Sequence, residues 1–194
     1  MTPSRCTPLK NVCLGLLLLA GSTLAGGCVP AVSLLAIDVV RDEREPRAYW
    51  QDNKAEMGIR FSIYRNKTIS DTNVSVTIWN AVVLLTGEVP DQQAIDRILD
   101  IAKSHHYTRQ VVNRIELAGR TNMASRVNDS WLTGRVKTAL VVSGTVDPTR
   151  FKVVTERANV YLMGLVTSAE ATEAVLIVRS VPGVVRVIKV FEYL

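Results

Sequence analysis

The most regular feature of the chain is a strand-like apolar run that occurs twice. Residues 82–89 read VVLLTGEV and residues 159–166 read NVYLMGLV, so that Gly87 and Gly164 lie 77 residues apart. Each run follows a shorter β-rich segment and precedes a helical pattern and a second β-rich segment. Two copies at a fixed spacing indicate a tandem pair of small domains, since a solenoid needs at least three repeats.

In both copies the spacing of apolar positions predicts the order helix–strand–strand–helix–strand. In the first copy Met57, Phe61 and Tyr64 share one face of the first helix, and Pro90 with Asp91 suits the start of the second. The predicted elements are a helix within 54–64, strands at 74–78 and 82–89 joined by a turn at 79–81, a helix with the core face Ala94, Ile95, Ile98, Leu99 and Ala102, and a strand at 111–117.

The second copy repeats this order with different helix caps. Asp129 or Ser130 is expected to cap its first helix, and Thr167 with Glu170 fits a capping box at its second. The predicted elements are a helix with the apolar face Leu132, Val136, Ala139 and Leu140, strands at 151–155 and 159–166, a helix that buries Ala171, Ala174, Val175 and Val178, and a strand at 184–193.

A hairpin joined through a helical crossover to a third strand forms a mixed three-stranded sheet. A right-handed crossover places the second helix on one face of that sheet, and the first helix can share the same face. The expected fold class is therefore α+β, with two tandem domains that are each a two-layer αββαβ unit. Because so small a domain buries only about 60% of its unfolded surface, we expect the two domains to pack against each other.

The amino terminus has the pattern of an export signal. Arg5 and Lys10 precede an apolar run at 12–20 that is too short to span a bilayer, and small residues then precede Cys28. A Cys directly after small residues resembles a bacterial lipobox, although Ala25 stands where that motif usually has Leu. The resemblance implies that Cys28 is the first mature residue and is acylated. The alternative is an ordinary secretory signal followed by an incidental Cys.

The cysteine count favours the lipid anchor. The other two cysteines, Cys6 and Cys13, leave with the signal, so that no disulfide can form within the mature chain. A lone free thiol is unusual in an oxidising compartment, whereas an acylated one is not. Residue 29 is Val rather than Asp, which by the rule for Gram-negative lipoproteins implies the outer membrane. We therefore expect a lipid-anchored outer-membrane protein that faces the periplasm.

These observations divide the chain into five parts and set its charge. The parts are a signal peptide at 1–27, a lipidated tether at 28–49, the two domains at 50–118 and 129–194, and a linker at 119–128. The mature chain carries 21 basic and 18 acidic residues, a net charge of +3, with the excess in the linker and the second domain. That charge is too small for a nucleic-acid protein, and export excludes that partner. An anionic membrane surface remains suitable.

The sequence lacks the motifs of common catalytic and cofactor sites. It contains no nucleophile elbow, P-loop or dinucleotide fingerprint. His105 and His106 are adjacent and have no further ligands nearby in sequence, so they fit a solvated helix end better than a metal site. Asp96 and Asp100 fit the wet face of a helix better than a catalytic carboxylate pair. We expect no enzyme activity, no cofactor and no metal.

The repeated unit resembles the BON domain, a bacterial module with the same αββαβ order. The segments 85–89, 162–166 and 182–184 carry the resemblance: LTGEV, LMGLV and PGV. With the lipobox at Cys28, the architecture is similar to the DolP (YraP) family of outer-membrane lipoproteins, which have two BON domains.

The resemblance implies a role for the first helix of the second domain. In the DolP family this helix is thought to bind anionic phospholipid through a Trp that matches Trp131, with Leu132 and Arg135 as further candidates here. Without the resemblance Trp131 fits a core or interdomain position, as Trp50 and Trp79 fit packing or turn positions. We therefore expect a protein that binds an anionic phospholipid surface and supports envelope integrity. The alternative is an accessory factor that contacts the outer-membrane protein assembly machinery.

Overall fold

The structure is a computed structural model that describes residues 46–69, 72–119 and 123–194, without the side chain of Met123. The predicted signal peptide, Cys28 and most of the predicted tether lie outside the described residues. Within the part of the chain that is described, no helix has the length and apolar content needed to cross a membrane.

The first domain has the predicted order of elements. They are α1 (Pro46–Arg65), β1 (Asn73–Trp79), β2 (Val82–Val89), α2 (Gln92–Ser104) and β3 (Gln110–Leu117). The central strand of the sheet is β2, which is antiparallel to β1 and parallel to β3. The Asp91 side chain accepts a hydrogen bond from the backbone N–H of Ala94 at 2.8 Å, which confirms the predicted cap of α2.

The second domain repeats this topology. Its elements are α3 (Met123–Ser143), a single 3-10 turn (Pro148–Arg150), β4 (Phe151–Glu156), β5 (Asn159–Val166), α4 (Ser168–Arg179) and β6 (Arg186–Tyr193). The central strand β5 is antiparallel to β4 and parallel to β6. Thr167 and Glu170 form the predicted capping box at α4. The fold class is therefore α+β, as predicted.

The two helices of each domain cover one face of its sheet. The inward side chains of α2 and α4 are those predicted from the apolar spacing, and they join the inward side chains of the strands in two separate cores. The buried residues that these two helices contribute are Ala94, Ile95, Ile98 and Ala102 from α2, and Ala171, Ala174 and Val178 from α4.

The helix α1 buries a different face from the one that its aromatic residues mark. Ala55, Ile59 and Ile63 enter the core. The face with Phe61 and Tyr64 points outward, and these two side chains are 58% and 88% exposed. Both faces have helical spacing, so that periodicity alone could not decide which of them packs on the sheet.

The helix α3 begins at least six residues before the predicted cap. It starts at Met123, which places Asp129 inside the helix rather than at its amino end. The prediction of a cap at Asp129 or Ser130 is therefore wrong. The predicted apolar face is confirmed, because Leu132, Val136 and Leu140 are buried in the second core.

Asp129 has a structural task that its counterpart Asp52, 77 residues earlier in α1, shares. Its carboxylate accepts two hydrogen bonds of 2.8 Å from the backbone N–H groups of Arg157 and Ala158, in the turn between β4 and β5. Asp52 accepts the equivalent pair from Asn80 and Ala81, at 2.9 and 3.0 Å. All four turn residues have positive φ, between 49° and 61°, although none of them is Gly. Each buried aspartate therefore holds a hairpin turn in a backbone conformation that L-residues disfavour.

Gly87 and Gly164 mark the places where the first strand of each hairpin comes closest to the second. Gly87 has a φ of +113°, and a Cβ there would collide with the carbonyl oxygen of Asn73. A Cβ at Gly164 would collide with the carbonyl oxygen of Arg150. Any side chain at either position would therefore clash with the neighbouring backbone, which is why both are glycine.

The faces of the two sheets that the helices leave open pack against each other. Trp79, Val82 and Leu84 from the first sheet meet Tyr161 and Met163 from the second in a third apolar cluster. The two domains therefore form four layers, with the sheets inside and the helices outside. The predicted packing of the two domains is confirmed, and Trp79 is a buried packing residue.

Polar contacts around this cluster are reciprocal between the two domains. The Asn80 side chain donates to Glu192 at 2.9 Å, and Arg157, the counterpart of Asn80, donates to Glu116 at 2.7 Å. Glu116 and Glu192 occupy equivalent positions near the ends of β3 and β6. Each hairpin turn therefore contacts the last strand of the other domain. Such a reciprocal pattern is typical of the interface in a symmetric dimer.

Candidate functional site

Trp131 lies on the outer surface of α3. Its side chain is 58% exposed, whereas Leu132, Val136 and Leu140 on the inner face of the same helix are almost completely buried. Trp131 is therefore not part of the apolar cores or of the cluster between the sheets. A large amphipathic ring in such a position is available to a partner or to a membrane interface.

Arg135 lies one helical turn after Trp131 and stacks on it. The guanidinium carbon is 4.7 Å from the centre of the indole ring, which is the geometry of a cation–π contact. The Nη1 atom of Arg135 also donates a 3.1 Å hydrogen bond to the carbonyl oxygen of Pro182. These two contacts hold the positive charge beside the exposed ring.

The Trp131–Arg135 pair borders a groove of about 660 Å³ between α3 and the turn that follows α4. Gly134 forms part of the groove, and a Cβ there would have no neighbour within 4 Å. Val142, which is 77% exposed, extends the apolar wall by two helical turns. We call this surface, with Trp131, Gly134, Arg135, Thr138, Val142 and Pro182, the α3 groove.

Leu132 does not belong to this surface, and its assignment as a lipid-binding residue is corrected. Only 1% of its side-chain surface is exposed, and it packs in the second core with Val136 and Leu140. Adjacent residues on a helix point about 100° apart. Leu132 therefore faces inward when Trp131 faces outward, and it packs α3 against the core of the second domain.

Of the remaining candidates from the sequence, Cys28 lies outside the described residues, and the histidines and Asp96 lie within them. His105 ends α2 and lies close to Gly58 of α1, while its ring stacks on His106 at 4.7 Å. Burial, and then the neighbouring His106, lower the pKa of His105. Asp96 is exposed, as predicted.

Among the described residues, no group of three or more His, Cys, Asp and Glu side chains is placed to hold a metal ion. The described chain does bring carboxylates together at the joint between the domains. Burial, and then the charges of Glu88 and Asp129, raise the pKa of Glu156 to about 7. Glu88 is fully buried and forms a 3.1 Å ion pair with Arg157.

Sequence reasoning did not predict that Asp52 and Asp129 bind the hairpin turns. It also did not predict that carboxylates of the two domains come together. Asp52 and Asp129 could have been found from their 77-residue spacing, which matches the spacing of the glycines. The joint has no comparable signal, because Glu88 and Glu156 belong to different domains and meet only after the two sheets have packed.

Comparison with known proteins agrees with the geometry. The BON-domain profile matches residues 51–119 and 128–194, which together cover more than half of the chain. The chain therefore belongs to the BON-domain proteins, as a tandem of two such domains.

A more specific assignment follows from full-length similarity. The chain is 32% identical to the outer membrane lipoprotein DolP of Haemophilus influenzae, over 97% of this chain and 98% of that protein. It is also 28% identical to a protein of Actinobacillus pleuropneumoniae named 21 kDa hemolysin, over 78% of this chain and 79% of that one. The chain is a member of the DolP family and an outer-membrane lipoprotein.

Similarity to solved structures adds nothing to this assignment. The C-terminal domain of CdsD, a structural protein of the type III secretion system of Chlamydia trachomatis, is 12% identical. The match covers 71% of this chain and 96% of that domain, with a TM-score of 0.30. A TM-score that low supports no inference.

Proposed function

We propose that this lipoprotein binds the anionic phospholipid surface of its membrane through the α3 groove and thereby supports envelope integrity. The observation that carries the proposal is the exposed Trp131 with the guanidinium of Arg135 stacked on it, 4.7 Å from the ring centre. Indole rings favour the interface between headgroups and acyl chains, because they combine an apolar body with one N–H donor.

The chemistry of the groove fits a headgroup with a negative phosphate. Arg135 keeps donors besides the one that bonds to the Pro182 carbonyl, since a guanidinium has five N–H groups. The exposed side chain of Val142 and the Trp131 ring supply apolar surface on the same side of α3. A phosphate at Arg135 and an acyl segment against these residues would use both parts of the groove.

Trp131→Ala tests the apolar part of this proposal. Removing the ring should cost about 1–2 kcal/mol of membrane binding at roughly 25 cal/mol per Å² of buried apolar area, or about tenfold in partitioning. The measurement is cosedimentation of residues 29–194 with vesicles of phosphatidylglycerol and phosphatidylcholine, compared with vesicles of phosphatidylcholine alone. Leu176→Ala on α4, at a side chain that is 57% exposed, is the matched control and should bind normally.

Arg135→Glu tests the charged part. It should weaken binding to the anionic vesicles, and the difference from wild type should shrink as salt rises, because exposed charges are screened. Lys137→Glu makes the same charge change on the same helix, two residues further on, and should have the smaller effect. Equal binding to both vesicle types, or a Trp131→Ala protein that folds and binds like wild type, contradicts the proposal. If the wild-type protein shows no preference for anionic vesicles but binds a protein of the outer-membrane assembly machinery, the accessory-factor alternative is favoured.

A further inference from the structure

The outward face of α1 in the first domain carries an apolar stripe that the fold does not use. Trp50, Met57, Phe61 and Tyr64 follow each other at helical spacing along about four turns. Their side chains are 58%, 71%, 58% and 88% exposed. We call this surface the α1 stripe. An exposed apolar stripe of this kind on a folded domain is typical of an interaction site.

The position of the stripe corresponds to that of the α3 groove. The equal hydrogen bonding of Asp52 and Asp129 shows that α1 and α3 align at the 77-residue spacing. By that spacing Phe61 is the counterpart of Thr138, and both lie on the outward face of their helix. The two domains therefore present the same helix face to the outside, and in the first domain this face is the more aromatic one.

The charges around the stripe are positive. Arg47, Lys54, Arg60 and Arg65 of α1 are all exposed. The guanidinium carbon of Arg65 lies 5.3 Å from the centre of the Phe61 ring.

The acidic residues of α1 lie off this face, although Glu56 also pairs with Arg60 at 3.5 Å. They are Asp52 and Glu56, and both accept hydrogen bonds from the β1–β2 hairpin. The outward face thus combines aromatic and apolar side chains with the cations Arg47, Lys54 and Arg65.

We infer that the α1 stripe is a second membrane-contacting surface, which lays α1 against an anionic bilayer. An exposed helix with aromatic residues on its face and Lys and Arg beside them has the composition of an interfacial helix. The long basic side chains reach the phosphates while the rings enter the interface. A second copy of this chain fits less well, because two α1 stripes in contact would bring their cationic borders together. In addition, α1 begins only 18 residues after Cys28, the expected lipid anchor.

This surface is separate from the α3 groove, so the two can be tested independently. The soluble chain 29–194 contains no Cys, which allows one environment-sensitive fluorophore to be placed at a time. Tyr64→Cys reports on the α1 stripe, Thr138→Cys reports on the α3 groove, and Lys103→Cys on α2 is the control. With phosphatidylglycerol vesicles the label at position 64 should shift to the blue, and the control label should not.

Binding of unlabelled variants gives a second readout. Met57→Ser with Phe61→Ser should lower partitioning to phosphatidylglycerol vesicles about tenfold, with Trp131 intact. Lys54→Glu with Arg65→Glu should weaken binding more than Lys103→Glu with Arg179→Glu, which changes the net charge equally at other exposed positions. Far-UV circular dichroism should show that all three variants keep their fold, since every altered side chain is exposed.

The outcomes separate this inference from the proposed function. A shift at position 64 with none at position 138 supports the α1 stripe and contradicts the α3 groove. A shift at position 138 alone overturns the α1 stripe, as does an equal shift at position 64 on phosphatidylcholine vesicles. Concentration-dependent dimerisation that Phe61→Ser abolishes would assign the stripe to a second copy and overturn the inference.

Discussion

Glu156 lies at the joint where carboxylates from both domains come together. Its pKa is about 7 in the folded chain, against an ordinary value of 4.5, because burial and the neighbouring Glu88 and Asp129 disfavour its charge. The folded state therefore holds this proton more tightly than the unfolded state does. The stability that follows is fully present below about pH 4.5 and is lost as pH rises through about 7.

Glu156→Gln should remove this pH dependence at the level of one residue. The variant should melt close to wild type at pH 5 and at a higher temperature than wild type at pH 8, because only the wild type must then hold a charge at this half-buried position. Thermal denaturation at unit steps of pH gives the comparison, with Asp100→Asn on the exposed face of α2 as the control. A Glu156→Gln difference that stays constant from pH 5 to pH 8 would show that this carboxyl does not titrate in that range.

Single residues also show where sequence reasoning reaches its limit. The resemblance singled out Trp131, and its neighbour Leu132 was predicted to bind lipid with it, yet Trp131 is 58% exposed and Leu132 only 1%. The apolar stripe of α3 already contained Leu132, and helical geometry alone separates two neighbours by about 100°. Exposure was thus predictable for this pair, whereas the stacking of Arg135 on Trp131 depends on side-chain rotamers that a sequence does not specify.

At the scale of elements, the buried carboxylates of Asp52 and Asp129 hold the two hairpin turns in their conformation. Asp129→Ala should destabilise the chain by about 3 kcal/mol, because it removes two hydrogen bonds to a buried carboxylate and leaves two turn N–H groups without their acceptor. Asp52→Ala should have an effect of similar size in the first domain. Urea denaturation measures both, and Asp96→Ala, at an exposed position of α2, should stay within about 0.5 kcal/mol of wild type. If Asp129→Ala and Asp52→Ala are as stable as Asp96→Ala, the turns form without the hydrogen bonds to these aspartates.

The elements differ in how well the sequence predicts them. The bounds of β2 and β5 were predicted to the residue, because each is a compact apolar run with a turn before it and a proline or a helix cap after it. The start of α3 was missed, since its first turns are polar and show no apolar period. In α1 two faces compete, and the larger aromatic residues drew the prediction to the exposed one. The size and spacing of hydrophobic residues identify an apolar face of a helix, but they do not show whether that face packs on the sheet or stays exposed.

At the scale of the whole molecule, the cluster between the sheets should couple the stabilities of the two domains. Met163 is 1% exposed and belongs to β5 of the second domain, yet it packs in the same cluster as Trp79, Val82 and Leu84 of the first. Met163→Ala should lower the free energy of unfolding by about 3 kcal/mol, because it leaves a cavity between the sheets. Part of that loss should appear in the first domain.

Leu162→Ala is the matched variant, because Leu162 lies on the same strand and points into the core of its own domain. Native-state hydrogen exchange of β2 and β5 amides gives the loss in each domain. The ratio of first-domain to second-domain loss should be higher for Met163→Ala than for Leu162→Ala. Equal ratios would mean that the sheet-to-sheet contact carries no coupling beyond cooperative unfolding of the chain.

The reciprocal contacts of the two hairpin turns make this chain a dimer folded within one polypeptide. A single domain of this kind would expose the sheet face with Leu84 or Met163 and would need a second molecule to cover it. Here only five residues separate Leu117 from Met123, so the partner is always present at a high effective concentration. The pairing is therefore unimolecular and independent of how much protein the membrane holds. Because the sheet faces pair within the chain, the outward faces of α1 and α3 stay on the surface of the two domains.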